Sequence, residues 1–243
     1  MGFYRVVGSP PEIYLARSYM NDNLANAPQE HKYRAEYKRI GTGRSRGELR
    51  MEILDAVRLS LRSGSYETLS MEQVAAKAAI SRRTLYNLFT DKDELYRSSC
   101  ELLLRNVAAK VTDEIPEKMS AVDGMRFFVA ACMEVYGNEE AIDLISSVVR
   151  DGARQRWLVE GYHREVHDRL ARASENFLLK RSRHSPLAPG VPRYVGEQVI
   201  CVVKSLTVGI HVFGSANRSV PPTNDRLDVL ARAYAAILEG KSL

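Results

Sequence analysis

Apolar residues along this chain return at intervals of three and four, the period of a helix with one buried face. From Gly47 to Arg62 they fall at Ile53, Leu54, Val57 and Leu61, and Gly64 stands where a helix commonly ends. A second start is signalled by Ser70, with Gln73 three residues on as in a capping box. The helix it opens, MEQVAAKA, has a small apolar face of Val74, Ala75 and Ala78. Ser81 caps a third helix, Arg82 to Phe89, and only Ala79 and Ile80 intervene. Asp91 followed by Glu94 opens a long fourth helix through about Thr112. The period continues in Ala121–Tyr136, Glu139–Val149, Ala153–Lys180, Tyr194–Phe213 and Asn224–Leu238. The stretches RSRHSPLAPGVPR and SANRSVPPTND break it. Strand-like alternation is nowhere sustained, and the predicted fold class is all-α.

The third helix divides its residues sharply. Arg82, Arg83, Tyr86 and Asn87 share one face, with Leu85, Leu88 and Phe89 opposite. Guanidinium, phenol and amide groups donate hydrogen bonds to phosphates and base edges. Two short helices joined by a tight turn, the second one basic, form the helix-turn-helix arrangement. Spacing alone also allows two amphipathic helices in a bundle.

Charge leans toward the polyanion reading. Sixteen Lys and Arg face twelve Asp and Glu over residues 1–100, against nineteen and eighteen over residues 101–243. Residues 1–45 lack a sustained apolar period, carry Pro10, Pro11 and Pro28, and close on the basic run KRIGTGRSRGELR. They read as a flexible basic arm, in which Arg39, Arg44, Arg46 and Arg50 are candidate contacts to phosphates or the minor groove. Cys100, Cys132 and Cys201 are widely spaced and form no CxxC pair, which points to a reducing cytoplasm. The N-terminus has no signal-peptide pattern, and the most apolar later stretch, Val195 to Gly214, is interrupted by Glu197, Lys204 and His211. A soluble chain without a membrane partner is expected.

Over positions 64 to 95 the string GSYETLSMEQVAAKAAISRRTLYNLFTDKDEL resembles the N-terminal domain of the tetracycline-repressor (TetR) family of transcriptional regulators. Tyr66, Ser70, Val74, Ala75, Ala78, Ile80, Ser81, Thr84, Leu85, Tyr86, Phe89, Lys92 and Leu95 carry the match. The resemblance implies a helix-turn-helix domain over 46–107, with the motif at about 70–89, and a helical effector-binding and dimerisation domain over 108–243. It implies a bacterial, cytoplasmic, nucleoid-associated regulator, by family habit a repressor, that binds a pseudo-palindromic operator as a homodimer and is released by an unidentified small effector. Tyr86 and Lys92 would contact phosphates, and Ser70 would cap its helix and could donate to phosphate. Ser81 would cap the recognition helix at the DNA, while Arg82, Arg83, Thr84 and Asn87 would face the major groove. Two positions depart from the pattern. Ala79 stands where glycine is usual, which asks a residue with a Cβ to take positive φ. Leu88 stands where an aromatic residue or His is common.

The rest of the chain is less specific. His163 and His167 lie four apart around Glu165, but the order HREVH is not HExxH, and Arg164 and Arg169 would repel a cation. A solvated helix face is expected there, with no metal and no cofactor. Phe127, Phe128, Met133, Tyr136, Trp157, Tyr162 and Phe177 sit at helical spacing and read as core; the resemblance makes them the candidate effector lining. Val199, Val202, Val203, Leu206 and Ile210 share one broad face, and Leu227, Leu230 and Tyr234 another. Such helices either close the domain core or pair with a second copy; the resemblance favours the dimer interface. No paired catalytic acids, nucleophile motif or phosphate-cradling glycine loop supports an enzyme. A helical enzyme or ligand carrier and a nonspecific nucleic-acid-binding dimer remain the alternatives.

Overall fold

A computed structural model describes residues 45–181, 191–209 and 224–238. The chain divides into two compact units, Met1–Leu49 and Arg50–Leu243; of the first, only residues 45–49 are described, in the opening turn of a helix. Helices follow in the order α1 (Arg46–Leu61), α2 (Met71–Lys77), α3 (Arg82–Tyr86), α4 (Lys92–Ala108), α5 (Ala121–Tyr136), α6 (Glu139–Asp151) and α7 (Arg156–Tyr162). A π-helical turn, His163–His167, leads into α8 (Asp168–Arg181). Then come α9 (Val191–Lys204), a second π-helical turn (Ser205–Gly209) and α10 (Asn224–Leu238). The described residues contain no strand, as the apolar period predicts. No described helix is long and apolar enough to cross a membrane.

Local chemistry explains most helix starts. Ser81, Asp91, Ser120 and Asn138 each accept the backbone N–H of the third residue on, satisfying a donor that the first turn leaves without a partner. Ser70 departs from the expected capping box. It holds the extended N-cap backbone of α2, but its hydroxyl donates to Glu72 Oε2 at 2.8 Å and accepts no helix N–H. The first helix ends at Leu61, so Gly64 lies in the following loop. A Cβ there would come within 2.6 Å of Thr68 Oγ1, and close approach is what this position demands.

Two layers of packing position everything else. Helix α4 lies against α6 and α7, while α5, α8, α9 and α10 form the larger bundle. Met125, Phe128, Ala131, Cys132, Val135 and Tyr136 of α5 are fully enclosed there. Full burial of one such side chain contributes about 1.5–3 kcal/mol. Bulk is excluded where helices touch. The Phe177 ring of α8 lies where a Cβ on Gly124 would be, 2.0 Å from that position, and Gly196 of α9 brings its backbone against Ser174 of α8.

The structure breaks two predicted helices. The period over 153–180 suggests one helix, but the chain forms α7, a π turn and α8. The predicted Tyr194–Phe213 helix passes through a π turn at Ser205–Gly209, and its last residues lie outside those described. One extra residue per π turn shifts the helical phase and re-aims the side chains beyond it.

Candidate nucleic-acid interface

The motif begins with a backbone requirement. Ala79 has φ +51°, the left-handed conformation that its departure from glycine implies. Its N–H bonds to Ala76 O at 3.2 Å and that of Ile80 to Ala75 O at 3.0 Å, so the turn between α2 and α3 stays hydrogen-bonded through the strained residue. For a residue with a Cβ this conformation costs about 1–2 kcal/mol.

Helix α3 then divides inside from outside. Leu85 is fully buried and Leu88 and Phe89 nearly so, while the adjacent Tyr86 is 50% exposed and Arg82, Arg83 and Asn87 lie on the surface. Thr84 is half-buried and shares a 2.8 Å hydrogen bond between its hydroxyl and that of Ser81. Arg82 pairs with Glu72 at 3.4 Å. The Ser70 hydroxyl, then the Glu72 backbone N–H and Arg82, hold the Glu72 carboxyl below its usual range. Lys92, at the first turn of α4, is half-buried: its ammonium donates to Glu67 O at 3.0 Å and lies 4.5 Å from the centre of the Tyr66 ring. Tyr66 in turn donates its hydroxyl to Asp93. Of the polar groups expected at a DNA surface, Ser81, Arg82, Arg83, Tyr86 and Asn87 are exposed, and Lys92 and Arg82 are already engaged within the chain.

Arg50 requires a correction. Its place in the basic run groups it with the arm, yet its guanidinium donates to Leu88 O at 3.0 Å and to Ser98 Oγ at 2.9 Å and stacks 4.2 Å from the centre of the Phe89 ring. It ties the segment just after α3 to α4, so it belongs to the packing of the motif and not to the arm. Arg46 is exposed at the start of α1, and Arg39 and Arg44 lie outside the described residues.

Several polar links join this region to the following helices, and the sequence signals none of those described next. Asp151, buried at the end of α6, accepts the Tyr66 backbone N–H on one oxygen at 3.2 Å and the Tyr96 hydroxyl on the other at 2.9 Å. Arg62 forks onto Asp143, with two contacts of 2.9 Å, and reaches Glu139 at 2.8 Å. Arg154 pairs with Glu67. Partners some 80 residues apart leave no periodic trace in a sequence.

The candidate effector residues separate by depth. Phe127, Phe128, Tyr136, Tyr162 and Phe177 are buried; Met133 and Trp157 are half-buried. The hydroxyls of Tyr136 and Tyr162 lie 3.2 Å apart, and burial pushes the Tyr162 phenol up to about 12. Arg97 lies 4.3 Å from the centre of the Trp157 ring, so this Trp packs on a side chain of α4. A cleft of about 270 Å³ opens elsewhere, lined by Arg58, Arg62, Arg150, Glu139, Asp143 and Leu103 among others.

The candidate dimer face also needs correcting. Val199 and Val203 are fully buried within the single chain and have no surface left to give a partner. Val202, Leu206, Leu230 and Tyr234 are half-buried; Leu227 lies in α10, and Ile210 falls outside the described residues. Among the described side chains of α9 and α10, Tyr194 and Val229 are large, apolar and exposed. The histidine pair is not a uniformly solvated face either. His163 is exposed, but His167 is half-buried, and burial, then Lys204 and His163, hold its imidazole below the ordinary value.

Residues 53–98 match the family of bacterial regulatory proteins described as the tetR family. No curated protein matches the chain. Solved structures similar to it include a TetR family transcriptional regulator from Pseudomonas syringae pv. tomato, with 20% identity, TM-score 0.57, and coverage of 79% of this chain and 95% of that one. A TetR-like transcriptional regulator from a Rhodococcus species shares 17% identity at TM-score 0.56, over 81% and 98% of the two chains. The Flavonoid-responsive Regulator FrrA shares 15% at 0.57, over 80% and 96%. At its helix-turn-helix the chain carries a tetR-family regulatory domain, set within the fold of the TetR-family transcriptional regulators.

Proposed function

We propose that the chain is a homodimeric transcriptional repressor that binds a pseudo-palindromic operator through the outer face of α3 and is released by a small effector. The observation that carries this reading is the division of α3, with Leu85 at 0% exposure beside Tyr86 at 50%. Any amphipathic helix divides inside from outside; what favours DNA is that the outward groups are two arginines, a phenol and an amide, all donors to phosphates and base edges, directly after a tight turn. Arg82, Arg83, Thr84 and Asn87 face the major groove, where an Arg can fork onto guanine and Asn87 can pair with adenine. Tyr86, Ser70, Ser81 and Lys92 hold phosphates and set the register. Two copies read two half-sites, which gives a five-residue helix the specificity it lacks alone. Residues 46–107 form the DNA-binding domain, and residues 108–243 bind the effector and dimerise through Val202, Leu206, Leu230 and Tyr234. Arg39, Arg44 and Arg46 of the arm add phosphate contacts.

An effector can act only by preferring one arrangement of the reading heads. Asp151 and Arg62 support such coupling, because each ties α6 to the chain just before the motif.

The test is titration of the purified protein against its own upstream DNA and a scrambled duplex at two salt concentrations. Specific affinity for the upstream duplex, lost about tenfold or more in Arg83→Ala and reduced in Tyr86→Phe, is the expected result. Equal weak binding to both duplexes with a steep salt slope would mean nonspecific association. Deleting residues 1–43 is expected to flatten the salt slope.

A further inference from the structure

The π turn between α7 and α8 gathers a second set of chemically active side chains. His163 and His167 meet edge to face, with ring centres 5.2 Å apart and planes at 76°. Asp168 follows at once, and a ring nitrogen from each His and a carboxylate oxygen of Asp168 all lie within 4.8 Å of one another. His167 Nδ1 is buried with no hydrogen-bond partner. Such a nitrogen costs stability unless something supplies a bond. His163 lies on the exposed side, which leaves room for water to complete a coordination shell.

The arginines that the sequence sets against a cation are committed elsewhere. Arg164 pairs with Glu165 at 2.7 Å. Arg169 forks onto Asp113 at 2.7 and 2.6 Å and donates to the Ala108 and Glu165 carbonyls. Two cations remain close from the neighbouring α9. Arg193 stands 3.8 Å from Asp168 and 2.9 Å from Glu197, so two carboxylates answer it. Lys204 lies 5.9 Å from the centre of the Tyr162 ring.

We propose that His163, His167 and Asp168 bind one divalent transition-metal ion, Zn²⁺, Ni²⁺ or Cu²⁺, with water in the remaining positions. Imidazole nitrogens suit these ions, whereas Ca²⁺ and Mg²⁺ require a shell of oxygens that this set does not supply. Metal bonds of about 2.0–2.2 Å place ligand atoms roughly 3.3 Å apart. The three groups must therefore close by about 1.5 Å at most, a rotation within reach of the exposed His163. The bound ion would join the π turn to the first residue of α8, on an element that packs against α4.

The experiment uses the full chain without a histidine tag, stripped with chelator, and titrates Zn²⁺ and Ni²⁺ by calorimetry with Mg²⁺ as control. One transition-metal ion per chain and no Mg²⁺ binding are expected. Affinity should fall at least tenfold in His163→Ala, His167→Ala and Asp168→Asn. His163 is exposed, so its variant remains informative if His167→Ala fails to fold. No transition-metal binding by the unaltered chain would overturn the site. So would binding that persists undiminished in His163→Ala and Asp168→Asn, which places the ion on the other histidines. Neither readout involves DNA, so this proposal and the operator reading fail separately.

Discussion

Helix α3 and the aromatic rows of α5 and α7 draw on the same residue types for opposite ends. In α3 and the turn after it the apolar side chains Leu85, Leu88 and Phe89 are buried and the phenol of Tyr86 is exposed. In α5 and α7 the phenols of Tyr136 and Tyr162 are turned inward and hydrogen-bonded to each other. A polar group on a helix thus acquires meaning from the side it is presented to, and of these three helices α3 presents its phenol to solvent. The division of α3 is legible in local sequence; the pairing of Tyr136 with Tyr162 is not.

Four substitutions press on that contrast. The largest effect is expected for Phe128→Ala, which empties a fully enclosed site and should cost about 3–5 kcal/mol in chemical denaturation. A loss below about 1 kcal/mol would show that the α5 interior is loose enough to admit a ligand. Asp151→Asn comes next. The amide oxygen can still accept the Tyr66 N–H, but the NH₂ then donates to the Tyr96 hydroxyl, which has to turn its own proton elsewhere in a buried site and loses a charge-assisted bond, at a cost of about 1–3 kcal/mol. If α6 steadies the reading head, operator affinity should fall with stability; unchanged affinity would separate the two regions. Ala79→Gly should relieve the left-handed strain, raise stability by up to about 1 kcal/mol and retain operator binding. Lost binding would mean that the turn needs its Cβ for more than shape.

The smallest effect is at Glu94. The Thr90 N–H holds its carboxyl below the ordinary 4.5. A depressed carboxylate contributes stability that is present above that value and lost as pH falls through the folded value. Glu94→Gln should therefore be slightly less stable than the unaltered chain at neutral pH. The difference should vanish on acidification below about 4.5. A gap that widened toward acid would contradict this assignment.

The helix-turn-helix is legible in the sequence because its signals are local: the caps at Ser81 and Asp91, the Leu85–Leu88–Phe89 clamp and the strained Ala79 all act within a few residues. Arg50 is misplaced by sequence reasoning because its partners, Leu88 and Ser98, lie 38 and 48 residues away. Asp151 escapes notice for the same reason. The π turns are invisible because a single extra residue leaves the period unchanged on either side and displaces only its phase, which a short window does not register. Val199 and Val203 illustrate a further limit: an apolar stripe records that a face is covered, and does not record whether the cover is the same chain or another.

Helix α3 has five residues, too few to persist without its surroundings. Its shape is lent to it by Arg50, Ser98 and the interior beneath Leu85. An engineer exchanging residues 82–87 between regulators to rewrite their targets would move the letters and leave the page behind. On the DNA-binding reading proposed above, a portable cassette from this chain has to begin with α1 and run through Ser98.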